Sequence, residues 1–348
     1  MSAPSATKLG DTNLEVPRVI FGTSSLGNLY QVVPYETKFK IISEWIAQAP
    51  GIVAADSAGK YGAGLALEVM GKALKELKVD PNNIVISNKL GWRRAPLETP
   101  EPTFEPGAWF GLEHDAIQDI SYDGILRCYE EGCELLGDYK PQMVSVHDPD
   151  EYLAAATDDA DREKRLEDIM AAYQALVDLR EKGLVSAIGV GSKDWRISQE
   201  LTKHCKLDWV MLATSLTLYT HEPELLSFVS DMKEQNIGVI NSAVFNAGFL
   251  VGGSFFDYRE ITGNNPGDAE LLAWRDKFNA ICQKHSVKQA EACVAFGGAT
   301  PGVVATALSS SRPERVKTNV SICNAKPPAE FWADMKAAGL LHSDYAHV

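Results

Sequence analysis

The sequence has few cysteines, no long apolar run and no surplus of positive charge. Its six cysteines among 348 residues include no Cys-x-x-Cys pair, and most fall inside helical patterns. That usage argues against a disulfide framework and for reduced thiols in a cytoplasmic protein. No apolar stretch approaches the length of a membrane span, and residues 1–5 lack the basic-then-apolar pattern of a secretion signal. Lys and Arg number 33 against 47 Asp and Glu, a net charge of −14. A phosphate backbone repels such a chain, so neither a nucleic acid nor a membrane is expected as a partner. No His, Cys or acid cluster has ligand spacing, so no metal is expected. A Gly-x-Gly-x-x-Gly loop is missing as well: Gly62-Ala63-Gly64 and Gly189-Val190-Gly191 both lack the third glycine.

What the chain does have is alternation. Short β-branched runs at 18–21, 52–55, 84–87, 143–147, 187–190, 209–212, 238–241 and 303–306 read as eight strands. Helical spacing of apolar residues follows most of them, at 36–49, 63–77, 122–136, 166–182, 197–203, 223–234, 269–285 with 287–296, and 313–323, with a last helix at 328–338. Alternating β and α elements imply a parallel sheet. Eight repeats without a linker predict one α/β domain over 1–348, a (β/α)₈ TIM barrel, with an open doubly wound sheet as the alternative. Before the first strand, "TKLGDTNLEVPRVIF" reads as a hairpin around Gly10-Asp11-Thr12-Asn13, a plug for the barrel floor.

Three connections are too long for ordinary turns, at 90–119, 148–162 and 242–268. All follow strands, so in a barrel they rise from the C-terminal face where active sites form. The first contains Trp92, Arg93, Arg94, Phe104, Glu105 and Trp109. Trp92, Arg93 and Trp109 are candidate substrate contacts, and a self-packed surface loop is the ordinary alternative.

The polar residues at successive strand ends carry the chemistry. Strand two meets Asp56 in "DSAGKYGAGLALE", strand three ends at Lys89, strand four ends at His147, and Tyr61 lies in the turn after Asp56. Singly, each has a plain explanation: an N-cap, a strand-end lysine, a core histidine, a packed tyrosine. Together on neighbouring strands they make an acid–base site. A buried Lys and Asp need each other. The ammonium is expected to lower the phenol pKa, leaving Tyr61 able to exchange a proton with an alcohol or a developing alkoxide.

"DSAGKYG" resembles the Asp-Ser/Thr-Ala-x-x-Tyr-Gly signature of the aldo-keto reductase superfamily, and the resemblance runs nearly the whole chain. It implies a (β/α)₈ barrel that binds a nicotinamide dinucleotide, with Asp56, Tyr61, Lys89 ("ISNKLG") and His147 ("VSVHDPD") as the catalytic tetrad. In "TALSSSRPERVKTN", after strand eight, Ser310, Arg315 and Asn319 match the family's contacts to the adenosine end. Before Arg312, Ser309 to Ser311 offer hydroxyls and backbone N–H groups at a predicted helix start. NADP-preferring members generally carry Lys where this chain has Ser309, which tilts the expectation from NADP towards NAD. Ser242, Asn246 and Gly248 in "NSAVFNAGFLVGG" match the loop over the pyrophosphate, and Ser192 in "GVGSKDW" is the candidate for the nicotinamide amide. Leu216 stands near the place of the family's stacking Tyr, with Tyr219 close by.

The segments "GTSSLGNLYQ", "SYDGILRCYEEGCELLG", "HDPDEY" and "VFNAGFL" are most similar to the D-threo-aldose 1-dehydrogenase (L-fucose dehydrogenase) branch, whose relatives act on L-galactose or pyridoxal. That implies oxidation of an aldose's anomeric hydroxyl (L-fucose, L-galactose or D-arabinose type) to the lactone. The alternatives are a carbonyl reductase or pyridoxal dehydrogenase of the same superfamily. A non-catalytic dinucleotide-binding subunit, as in potassium-channel β-subunits, is disfavoured by the intact tetrad.

Overall fold

The computed structural model describes residues 6–49, 51–257 and 259–348. Residues 1–5, read above for a secretion signal, lie outside the described residues, as does Tyr258 in the third long connection. In chain order the strands are β1 (Thr7–Lys8), β2 (Glu15–Val16), β3 (Val19–Gly22), β4 (Val53–Ala58), β5 (Ile84–Leu90), β6 (Trp92–Pro96) and β7 (His114–Gln118). They continue with β8 (Met143–His147), β9 (Ala187–Ser192), β10 (Trp209–Ala213), β11 (Gly238–Ser242), β12 (Phe255–Phe256), β13 (Arg259–Glu260) and β14 (Val303–Ser309). Eight of them close a barrel in the order β10-β11-β14-β3-β4-β5-β8-β9, all neighbours parallel. The barrel, and not the open sheet, is the fold.

β1 and β2 pair antiparallel as the expected hairpin. Leu9 and Val16, both fully buried, join Ile20, Ala54, Val85, Met143, Trp209 and Ile240 in one apolar cluster that fills the lower barrel. Each buried Leu, Val, Ile or Met among them contributes roughly 1.5–3 kcal/mol by leaving water. A larger core seals the helices onto the barrel's outer wall and includes Ile125, Tyr173, Leu176, Phe228 and Phe296.

Several element ends differ from the sequence reading. β4 runs on through Asp56 to Ala58, because the ladder to β5 continues from Asp56 opposite Ser87 to Ala58 opposite Lys89. The helix read as 166–182 spans Asp159–Glu181. Its first two turns, "DADREKR", carry no apolar stripe and were invisible to periodicity. They are held instead by Asp158, whose carboxylate accepts the Asp161 N–H at 2.8 Å, and by an Asp161–Arg165 ion pair at 3.0 Å. The second long connection is therefore largely helical, since Pro149–Ala154 forms a further short helix. The helix read as 313–323 divides into a 3₁₀ turn, Pro313–Arg315, and a seven-residue helix, Val316–Ile322. The first long connection folds into an antiparallel hairpin of β6 and β7, from Trp92 opposite Gln118 to Pro96 opposite His114.

All six cysteines are free thiols. Among the described residues no helix is long and apolar enough to cross a membrane.

Candidate active site

Strand alternation puts the charged residues in the barrel mouth. Ala54, Val85 and Met143 point into the apolar lower lumen. Side chains two or four residues further on face the same way, and these are Asp56, Lys89 and His147. Each of the three is 4% exposed. Asp56 forms an ion pair with Lys89 through one carboxylate oxygen and accepts the Ser87 hydroxyl at 3.0 Å through the other. Lys89 Nζ also lies 3.4 Å from Tyr61 Oη. The Tyr61 ring meets the His147 ring edge-on, 5.6 Å between centroids. The turn holds Tyr61 there: its N–H bonds the Ala58 carbonyl at 3.1 Å, and its carbonyl accepts the Ala66 N–H at 3.2 Å.

The electrostatics correct one expectation. Burial raises the Tyr61 phenol pKa, the Asp56 and Asp148 charges raise it further, and the pull of Lys89 does not overcome them. Tyr61 in this structure is a neutral phenol, a proton donor. His147 is driven well below its usual value by burial and by Lys60, Lys89 and Lys193, so its ring is neutral. Lys89 is buried, yet Asp56 keeps it firmly protonated. A charged ammonium, a phenol and a neutral imidazole therefore share one mouth. That set can pass a proton to or from an oxygen held between Tyr61 and His147.

The first long connection covers this centre. Trp109 lies 5.9 Å from the Tyr61 ring and 6.2 Å from Phe104, which is 5.9 Å from Trp92. Trp109 and Phe104 are buried. The loop thus packs on itself and on Tyr61 at once, with Ala63 and Ala116 in the same cluster. Arg93 goes elsewhere. It sits on the opposite face of β6 from Trp92 and pairs with Asp119 at 3.0 Å, an acid that Arg127 shares at 2.9 Å. Glu68 is also engaged, at 2.5 Å from Arg94 of the same hairpin.

Charged residues overlooked by the sequence reading complete the mouth. Lys60, with a side chain 6% exposed, lies 2.6 Å from Glu105, 3.7 Å from Glu151 and 3.8 Å from Asp148. Asp148 Oδ2 is 3.4 Å from His147 Nε2. The only signal available was adjacency, Lys60 beside Tyr61 and Asp148 beside His147.

The chain residues suggested for a cofactor ring the same face. Ser309 ends β14 opposite Gly22 of β3, which in turn faces Asp56 of β4. Ser310 turns its hydroxyl to the Arg312 N–H at 3.0 Å, and its carbonyl accepts the Ser25 hydroxyl at 2.8 Å. Asn319 reaches back to the Ser309 carbonyl at 3.4 Å. A cavity of about 280 Å³ lies beside this loop, lined by Val33, Pro34, Thr37, Ser311 and Arg312. Across the mouth, Ser242 donates to the Leu212 carbonyl at 3.0 Å, and Asn246 donates to Asp257 at 3.1 Å while its own buried carbonyl oxygen has no partner among the described residues. Gly248, at φ 92°, has open space where a Cβ would be. Ser192 is spent locally, bonding Asp194 O at 3.1 Å and the Ser198 hydroxyl at 2.9 Å. Leu216 is fully buried in the outer core, and Tyr219 meets Phe256 and Trp274 edge-on.

A model of the aldo/keto reductase family matches residues 18–339. This chain belongs to the aldo/keto reductase family. It is 27% identical to a pyridoxal 4-dehydrogenase of Microbacterium luteolum, covering 98% of this chain and 99% of that protein. It is also 27% identical to a D-threo-aldose 1-dehydrogenase of a Pseudomonas species, over 97% of this chain and 98% of that one. A solved glycerol dehydrogenase of Gluconobacter oxydans shares the fold, with a TM-score of 0.69 at 17% identity over 95% of each chain. The family uses NAD(P)(H) in general. The residues present fit such a group: an arginine-flanked cavity at one end of the mouth, an unpartnered acceptor on Asn246 and an unencumbered backbone at Gly248 at the other. Ser309–Ser311 lead into a 3₁₀ turn and a seven-residue helix, not into the long helix end that the sequence suggested.

Proposed function

We propose that this aldo/keto reductase oxidises the anomeric hydroxyl of a small aldose to the lactone. The observation that carries the reading is the chain of contacts from Asp56 through Lys89 to Tyr61, opening beside a neutral His147. Full-length similarity to a D-threo-aldose 1-dehydrogenase supports the substrate class. Bound NAD(P) supplies the acceptor for the hydride that leaves the anomeric carbon. The chain's own share is the proton and the geometry. His147 Nε2–H donates to the anomeric oxygen and holds it. Tyr61 first releases its own proton to solvent and then, as the phenolate, takes the hydroxyl proton, with Lys89 stabilising the phenolate between these events.

Similarity to a pyridoxal 4-dehydrogenase at the same identity supports a second substrate. Pyridoxal bears an aldehyde beside a hydroxymethyl group and closes to a cyclic hemiacetal, so the same proton path serves it. For the cofactor, Ser309 in place of a lysine favours NAD, and Arg315 is the remaining cation for a 2′-phosphate. Six free thiols accord with a cytoplasmic setting.

The test is a substrate panel run with both NAD and NADP. L-Fucose is expected to drive NAD reduction faster than aromatic aldehydes drive NADH oxidation. The reverse ranking would sink the sugar reading, and pyridoxal outpacing every aldose would select the second substrate.

A further inference from the structure

Lys60 and Asp148 are an unusual pair to find beside a reaction centre. Lys60 faces three carboxylates, Glu105, Asp148 and Glu151, with the Trp92 ring 5.1 Å from its ammonium. A buried ion pair adds little net stability, and Lys60 answers Glu105 and Asp148 alone, since Glu151 is paired more closely with Lys193, at 2.5 Å. Two of these acids also sit on strained backbone: Glu105 and Asp148 both have φ 46°. Left-handed conformations at such residues cost about 1–3 kcal/mol each and gather at ligand sites. Asp148 precedes the helix Pro149–Ala154 but makes no side-chain cap bond to it. Its carboxylate is turned to His147 and Lys60 instead. Glu105 accepts the Trp109 indole N–H at 2.7 Å, and Trp109 packs on Tyr61. Asp148 and Glu105 are therefore tied to the tetrad, and Lys60 bridges them.

We propose that Lys60, Asp148 and Glu105 form a polar subsite for hydroxyl groups on the carbon next to the reacting carbon, so that the mouth selects hydroxylated substrates over plain ones. The proposal rests on the reading of Tyr61 and His147 as the pair that holds the reacting oxygen. Oxygens on adjacent carbons lie about a hydrogen-bond length apart. A group 3.4 Å from His147 Nε2 is thus within reach of the neighbouring hydroxyl when His147 holds the reacting oxygen. Burial lifts the Asp148 carboxyl to about 7, against the pull of Lys60 and Lys193 and with the help of Glu151 and Asp150. Near neutrality it serves a hydroxyl as donor and as acceptor. Lys60 is a fixed donor, and Glu105 and Glu151 offer further lone pairs at the rim.

D-Glyceraldehyde and propanal share a carbon skeleton and differ in hydroxyls, so their ratio of kcat/KM in reduction reads the subsite directly. A site built around a hydroxyl discriminates strongly against its absence, and a wild-type preference for glyceraldehyde of roughly 30-fold or more is expected. Lys60→Met and Asp148→Asn should each lower that ratio by about tenfold, the value of one lost charge-assisted hydrogen bond. Dinucleotide binding, read by tryptophan fluorescence, checks that each variant is folded. A wild-type ratio near one overturns the subsite, as does a ratio unchanged in both variants. If neither aldehyde turns over, the tetrad reading falls. Glycerol and 1-propanol binding to wild type then decides the subsite: equal affinities overturn it, and preference for glycerol upholds it.

Discussion

Gly27 and Gly62 lie backbone against backbone. A Cβ on Gly62 would stand 2.3 Å from the Gly27 carbonyl oxygen, and a Cβ on Gly27 would stand 2.6 Å from the Tyr61 carbonyl carbon. The turn that carries Tyr61 is thus seated on the 3₁₀ helix Ser24–Gly27, with no side chain between them. Gly62 also needs φ 63°. The glycines of this segment serve close approach, and phosphate does not enter the account.

Gly62→Ala should therefore injure activity and stability together. The left-handed conformation costs an alanine about 1–2 kcal/mol, before the clash with Gly27 is counted. Relief of that clash moves the turn and lengthens the 3.4 Å approach of Tyr61 Oη to Lys89 Nζ. The expected result is a Tm several degrees lower and a kcat/KM reduced by about tenfold or more. Calorimetry and steady-state kinetics on one preparation check both. A variant with wild-type kcat/KM would show that the seat does not set the position of Tyr61.

Tyr61→Phe separates chemistry from binding. The substitution removes one hydroxyl beside Lys89 and leaves the ring packed against Trp109 and His147. Turnover should fall by about 10²–10⁴-fold, the usual worth of a positioned proton carrier. NAD affinity, measured by fluorescence titration, should stay within a fewfold of wild type. Near-normal turnover would remove Tyr61 from the proton path.

The fold was legible because barrel strands buried on both faces read as short continuous β-branched runs, while the helices between them keep the 3.6-residue period of one buried face. Eight alternations of the two pointed to closure. The ends of β4 and of the helix Asp159–Glu181 were not legible. At Asp56 a charged side chain looks like the end of a strand, although the hydrogen-bond ladder runs two residues further. Before Leu166 the helix touches no core, so capping alone marks its start. Within the mouth, Asp56, Lys89, His147 and Tyr61 came together because strand alternation fixes where each points. Arg93 was read in a loop, and only the β6–β7 hairpin shows it one residue out of phase with Trp92 and paired with Asp119. Lys60 and Asp148 could not be told from solvated surface charges until their burial was known. The phenol of Tyr61 shows the same gap: its nearest ammonium was readable, and the burial that outweighs it was not.

The protonation states give the pH dependence. Oxidation needs the Tyr61 phenolate, and burial holds the phenol above its ordinary value of 10 in the free protein. The phenolate fraction therefore grows throughout the range below that pKa. The kcat/KM for oxidation should rise with pH from 7 to 10, by up to tenfold per pH unit where no other group intervenes. Reduction needs the phenol, which is the resident form, so its kcat/KM should show no loss from Tyr61 between pH 6 and 9. His147 adds no break in this window, because its ring is already neutral well below its usual 6.5. Asp148 titrates near 7, so a break there in either profile should belong to it and disappear in Asp148→Asn. Profiles of both directions, collected for wild type and Asp148→Asn at constant ionic strength, test the assignment. An oxidation profile flat from pH 7 to 10 would mean that Tyr61 is not the base.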